Sequence, residues 1–190
     1  MSLWDAILGR QTLPKANTEK LFAISTAQVT LEVDLRLKSA GKAGICFKPV
    51  GSSDFADVGQ ELEELLHAGA SASNTKARAA KDSFGFQWVV LEDEDFEDLV
   101  VGLHLTFQTL EEKGFGSQLL SAVFKFGDAD GRPAYWIYNY KRGLFYPFVP
   151  TSQGHERDNP AELHMRSVME KELPIDPQLE RWFPMWDMPL

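Results

Sequence analysis

Six of the seven residues in Glu92-Asp93-Glu94-Asp95-Phe96-Glu97-Asp98 are carboxylates, a density that could gather a divalent cation. Side chains within one helical turn fan outward rather than converge, and acidic groups favour the positive end of a helix. The run therefore reads as a helix N-terminus. Asp128-Ala129-Asp130-Gly131 has the spacing of the opening of a calcium loop, which would continue with further oxygen ligands and close on Glu. Arg132 and Pro133 follow instead, so a hairpin turn is expected. His67, His104, His155 and His164 fall on separate segments with no i, i+4 pair, and surface or capping roles are expected for them. Cys46 is the single cysteine; it alternates with Ile45 and Phe47 along a strand, as a buried structural thiol would. Gly114-Phe115-Gly116 follows a helix rather than opening one, so it is no phosphate loop. No nucleophile–base pair stands out, and neither a metal nor a cofactor is expected.

The densest feature is 135–150, YWIYNYKRGLFYPFVP, in which seven aromatic residues surround a basic tip, Lys141-Arg142. Lys141, Arg142 and Gly143 fit a three-residue hairpin loop with Gly143 in the left-handed region. That register pairs Tyr140 with Leu144, Tyr138 with Tyr146, and Trp136 with Phe148. One face then carries Trp136, Tyr138, Tyr140, Tyr146 and Phe148, and the other Tyr135, Ile137, Phe145 and Val149. Pro147 marks an edge strand. Both faces are apolar, and helices on one side of a single sheet leave the second face to be covered otherwise. The chain's own Trp182, Phe183, Met185 and Trp186 are expected to cover most of it, because large exposed apolar patches are uncommon on monomers. Tyrosine-rich rims are where partners dock, so Tyr138, Tyr140, Lys141, Arg142 and Tyr146 form the candidate partner surface. The alternative is that Lys141 and Arg142 are polar turn residues with no further role.

The elements that position these residues follow from periodicity. Leu3, Trp4, Ile7 and Leu8 share one helical face, too short and too poor in cations for a membrane anchor, and are predicted to dock on the protein itself. A short helix is expected over 17–25, then a strand over 28–37, where Val29, Leu31, Val33, Leu35 and Leu37 alternate with polar residues. A turn over 38–44 leads to a second strand over 45–50, ended or edged by Pro49. Asp54 to about His67 reads as a helix with Phe55, Val58, Leu62, Leu65 and Leu66 as its stripe. The Ala/Ser-rich 68–81 reads as a mobile loop. A strand over 83–91 places Phe84, Phe86, Trp88 and Val90 on one face. A helix runs from about Phe96 to Lys113 with Gly114 as its cap. Three strands follow, over 118–126, 132–140 and 144–149. The 159–190 region begins with a helix capped by Asn159, with Pro160 in its first turn and Glu162 closing a capping box, and runs to about Glu172. Asp176-Pro177 repeats that cap-then-proline signature before an apolar tail. Together these give a single α+β domain over 1–190, mainly an antiparallel sheet of about six strands with helices packed on it.

A net charge of −9 disfavours nucleic acid and anionic membrane surfaces as partners, while 44% hydrophobic residues can build one core. No apolar run approaches the ~20 residues of a spanning helix, and the opening MSLWDAILGR has no leader pattern. A soluble cytoplasmic protein is expected.

WDAILGR at 4–10, CFKPV at 46–50, FGFQWVVLEDEDFEDLV at 84–100 and LHLTFQTLEEKGFGSQLLSAVFKF at 103–126 are distinctive in combination. So are YNYKRGLFYPFVP at 138–150, RDNPAELHMRSVMEKELPI at 157–175 and RWFPMW at 181–186. On these segments the chain resembles, nearly end to end, the PspA-associated protein PspAB family. The resemblance implies a phage-shock-type envelope stress response, with a PspA-like membrane-remodelling protein or an HtpX-type membrane zinc protease as protein partner. It assigns no activity to any residue. The expectation is a non-catalytic cytoplasmic adaptor or regulator acting by protein–protein interaction, recruited to the membrane by its partner without inserting into it. The second reading is an enzyme or small-ligand sensor with a pocket between sheet and helices.

Overall fold

The computed structural model describes residues 18–49 and 74–190. The expected helices at Leu3–Leu8 and 54–67, His67, and the first part of the 68–81 loop lie outside these residues.

Leu21, Ile24, Ala27 and Leu31 are all fully buried, and steps of three and four residues place them on one face of a helix. The chain there is helical: a 3-10 turn Glu19–Phe22, then α1 (Ala23–Thr26) and α2 (Gln28–Val33). The Ala27 N–H donates to the Ala23 carbonyl and the Leu31 N–H to that of Ala27, both at 3.1 Å. This corrects the strand expected over 28–37. Its apolar alternation exists, but Val29 and Val33 are 70% and 68% exposed, so burial follows the helical period.

β1 (Lys38–Phe47) begins where a turn was expected. Gly41, at φ 67°, and a register shift between Ser39 and Lys42 make that stretch a bulge within the strand. A side chain at Gly41 would meet the Asp93 carbonyl at 3.0 Å. β2 (Lys76–Lys81) and β3 (Gln87–Glu92) form a hairpin, so the second part of the expected 68–81 loop is an edge strand. Alanines interspersed with Lys76, Arg78 and Lys81 suit an edge, where charge discourages further pairing. Phe84 lies in the hairpin turn rather than in the strand expected from Ser83.

α3 (Phe96–Glu112) starts at Asp95, whose carboxylate accepts from the Glu97 and Asp98 N–H groups at 2.8 and 3.4 Å. The acidic run is thus a helix N-terminus, as its spacing implies. At the other end Gly114 takes φ 85°; its N–H bonds the Glu111 carbonyl and the Phe115 N–H bonds that of Leu110, at 2.9 and 2.8 Å. Only glycine enters this conformation without strain, which stops the helix there.

β4 (Leu119–Gly127), β5 (Pro133–Asn139) and β6 (Leu144–Phe148) complete a six-stranded sheet of order β2-β3-β1-β4-β5-β6. Every pairing is antiparallel. α3 carries the chain from β3 to β4 across β1, and Phe96, Leu99, Leu103 and Phe107 bury one face of the sheet. The fold is a single α+β domain. α4 (Asn159–Met169) is capped by Asp158, which accepts from the Ala161 N–H at 3.0 Å, one residue before the expected cap at Asn159. Glu162 closes no capping box. It is 2% exposed and accepts instead from the Val149 N–H at 2.9 Å and from Arg157 Nε at 3.0 Å.

Those bonds finish the β6 edge. The Phe145 N–H donates to the Pro174 carbonyl and its own carbonyl accepts from Asp176, both at 2.8 Å. Pro147 has no donor to offer, and Val149 is held by Glu162. The outward N–H groups of β6 are therefore satisfied or absent, which closes that edge to a further strand.

Candidate functional site

The aromatic hairpin pairs Asn139 with Leu144, Tyr138 with Phe145, Ile137 with Tyr146, Trp136 with Pro147 and Tyr135 with Phe148. The loop is therefore 140–143, one residue longer than expected. Asn139 sets it: its carbonyl accepts from the Gly143 and Arg142 N–H groups at 2.8 and 3.2 Å, and its side chain accepts from Arg142 at 3.2 Å. Gly143 takes φ 65°, as expected of it. One residue of slip exchanges the faces of a whole strand. Phe145 joins Trp136, Tyr138 and Tyr140 beneath the helices, while Tyr146 and Phe148 join Tyr135 and Ile137 on the opposite face.

This divides the expected partner surface. Tyr138 and Tyr140 are core residues at 0% and 1% exposure, with rings 4.7 Å from Phe145 and 4.9 Å from Phe107 respectively. Burial pushes the Tyr138 hydroxyl up to about 12 and that of Tyr140 well above its ordinary value. A rim of tyrosines about the tip is not what the fold builds. Tyr146 is also buried, but on the opposite face, where its hydroxyl donates to the Phe183 carbonyl at 3.1 Å. Lys141 and Arg142 are exposed at the tip. Lys141 makes no polar contact with a described residue, whereas Arg142 Nε stands 3.9 Å from a carboxylate oxygen of the buried Asp176.

The tail covers the second face of the sheet, as expected. Trp182 stacks on Tyr146 and donates its indole N–H to the Asp176 carbonyl at 3.0 Å, while its own carbonyl accepts from Arg157. Trp186 meets the Phe148 ring edge-on at 4.9 Å and is itself stacked on His155 at 5.0 Å. Lys125 and Arg78 hold the Leu190 and Pro189 backbone oxygens at 3.0 and 2.5 Å. Gly44 leaves room for this: a side chain there would meet Leu190 at 3.2 Å and the Trp88 ring at 3.3 Å. Phe183 departs from the expectation and stands 59% exposed.

Beside the tail lies an apolar cleft of about 550 Å³, walled by Phe183, Met185 and the β2–β3 turn, with the half-buried Phe86 and Leu120 in its lining and Lys141 and Arg142 at its lip. Phe84 on that turn is 60% exposed, so two aromatic rings stand in solvent at the cleft. Asp82 holds the turn: its carboxylate accepts from the Phe84 and Phe86 N–H groups at 3.0 and 2.9 Å and from the Trp88 indole at 2.9 Å. Cys46 also borders the cleft. Burial, with a smaller push from the Asp82 charge, raises its thiol far above the ordinary range, so it stays protonated and weakly nucleophilic.

A second cavity of about 510 Å³ lies between α4 and the β4–β5 turn and carries Asp128, Asp158 and His164. Both carboxylates serve the backbone there. Asp128 accepts from the Arg132 and Asp130 N–H groups at 2.9 Å, bonds that hold its carboxyl below the ordinary range, and Asp158 caps α4. Among the described residues no group of three His, Cys, Asp or Glu side chains could hold a metal ion, and no helix is long and apolar enough to cross a membrane.

Of the cleft residues, the sequence reading placed Lys141, Arg142 and Tyr146 at a site and missed Phe84. Asp82-Ser83-Phe84-Gly85 is the signal that could have found it, an Asx turn with Gly85 at φ 86°. Comparison with curated proteins and with solved structures finds no match. The family model described as PspA associated protein B, PspAB, matches residues 1–190, the whole chain, and the protein belongs to that family.

Proposed function

We propose that the protein is a non-catalytic adaptor of the PspA-linked envelope stress response, acting in the cytoplasm by docking a protein partner at the tail face of its sheet. Family membership supports the setting and PspA as the partner. The observation that carries the docking surface is the cleft: solvent-facing Phe84 and Phe183 with Lys141 at the lip, beside a core already filled by the chain's own side chains. Exposed aromatic side chains with an adjacent cation are the composition of a partner site. In this reading the adaptor reaches the membrane through its partner and inserts nothing of its own.

The test is a titration of the full-length protein with purified PspA from the same genome, followed by light scattering and fluorescence anisotropy. An HtpX-type protease in detergent serves as the comparison arm. Saturable binding of PspA that weakens as salt is raised is expected. A folded protein that binds neither, or that turns over a small molecule through residues of the second cavity, would overturn the reading.

A further inference from the structure

We infer that the cleft between the tail and the β2–β3 turn seats apolar side chains of an acidic peptide segment, with a segment carboxylate paired to Lys141. The inference deepens the docking reading and takes from it only that the occupant is a protein.

The chain itself shows which peptide chemistry this face accepts. Met185-Trp186-Asp187-Met188 is an apolar segment with one carboxylate, and it lies on the sheet beside the cleft. Its Trp186 ring anchors on Phe148, and its Asp187 carboxylate accepts from Ser83 Oγ at 2.8 Å and lies 3.9 Å from His155 Nε2. An aromatic floor takes the apolar side chains, and donors along the border take the carboxylate. The cleft continues this arrangement with the half-buried Phe86, Leu120 and Trp186 as its apolar lining and Lys141 as the border donor.

Two further features favour an acidic occupant over a neutral or basic one. Asp82, the acidic residue bordering the cleft, is fully engaged with the turn and the Trp88 indole. Arg142 is shared with Asp176, but Lys141 has no polar partner among the described residues. The chain as a whole carries −9, so the attraction that an acidic segment meets is confined to this lip and fixes where its carboxylate sits. A cleft of about 550 Å³ falls within the range that buries a small ligand or a few large side chains.

The test uses the full-length protein and a fluorescein-labelled peptide in which glutamate alternates with leucine and phenylalanine, read by anisotropy. One control replaces glutamate by lysine, another replaces the apolar residues by serine, and dodecanoate is the competing amphiphile. The glutamate peptide should bind saturably, and both controls should bind at least about tenfold more weakly. Phe84→Ser and Lys141→Glu alter exposed side chains, so both variants should keep the wild-type melting curve while losing about tenfold in affinity. Lys141→Glu should also regain affinity for the lysine peptide, a charge exchange that a merely structural role would not produce. Equal binding of glutamate and lysine peptides, unchanged affinity in both variants, or dodecanoate bound in preference to the peptide would each overturn the inference. If the peptide behaves as expected but PspA does not bind, the cleft chemistry stands and the PspA reading fails. If PspA binds both variants at wild-type strength, the adaptor reading stands and the cleft assignment fails.

Discussion

Lys141 and Arg142 are neighbours in the chain and differ in what they touch. Lys141 projects into solvent, whereas Arg142 lies 3.9 Å from Asp176, whose side chain is 3% exposed. Lys141→Glu should move stability by no more than about 0.5 kcal/mol. Arg142→Glu sets a second carboxylate against a buried one and should cost about 1–2 kcal/mol. Urea denaturation of the two variants separates these cases, and equal effects would show that the approach to Asp176 carries no weight. Glu162 offers a test by pH. Burial raises its pKa from the ordinary 4.5, against the opposing pull of Arg157 and of the Val149 N–H. A folded-state pKa above the unfolded one means that the native state holds the proton more tightly. The stability this group contributes is then fully present below about pH 4.5 and is lost as pH rises through the raised value. Glu162→Gln does not titrate, so the stability of wild type relative to this variant should fall as pH climbs from about 4 to 7. A difference that grows with pH would mean that pairing with Arg157 outweighs burial.

Leu31, at 0% exposure, and Val29, at 70%, distinguish helix from strand at the level of the element. In α2 only Leu31 points inward, so Leu31→Ala should cost about 2–5 kcal/mol, and Val29→Ala and Val33→Ala should stay within about 0.5 kcal/mol. A strand with all three on one face would make all three substitutions costly. The apolar alternation of 28–37 is compatible with either period. What decides is Leu21, Ile24 and Ala27 upstream, whose helical spacing continues to Leu31. β2 was hidden for another reason: an edge strand of alanines and cations has no apolar face to read. In the aromatic hairpin the alternation within each strand was legible, but the pairing between strands was not. A single residue of loop length, fixed by Asn139, decides which side of the sheet Tyr146 and Phe148 occupy. α3 was readable at both ends because its cap and its terminal glycine lie within the local sequence.

Across the whole molecule, the tail completes the sheet's second face. Trp182 is 4% exposed and Phe183 is 59% exposed, though they are adjacent. Trp182→Ala should therefore cost about 3–5 kcal/mol, and Phe183→Ala should be nearly neutral in a thermal melt. A tail that was only an appendage would give two small effects. Its covering role was legible in the sequence from the count of rings and faces. The cleft was not, because Cys46, Phe84, Lys141 and Phe183 come from four separated stretches that only the tertiary fold brings together.

The proposed docking of PspA at this cleft can be checked by equilibrium binding of purified PspA to the full-length protein. Wild type and the double variant Phe84→Ser with Lys141→Glu would be compared by calorimetry at two salt concentrations, with circular dichroism confirming that both are folded. Saturable binding to wild type that weakens with salt is expected, with at least about a tenfold loss in the double variant. Equal affinity for the two proteins would show that PspA does not dock at the cleft.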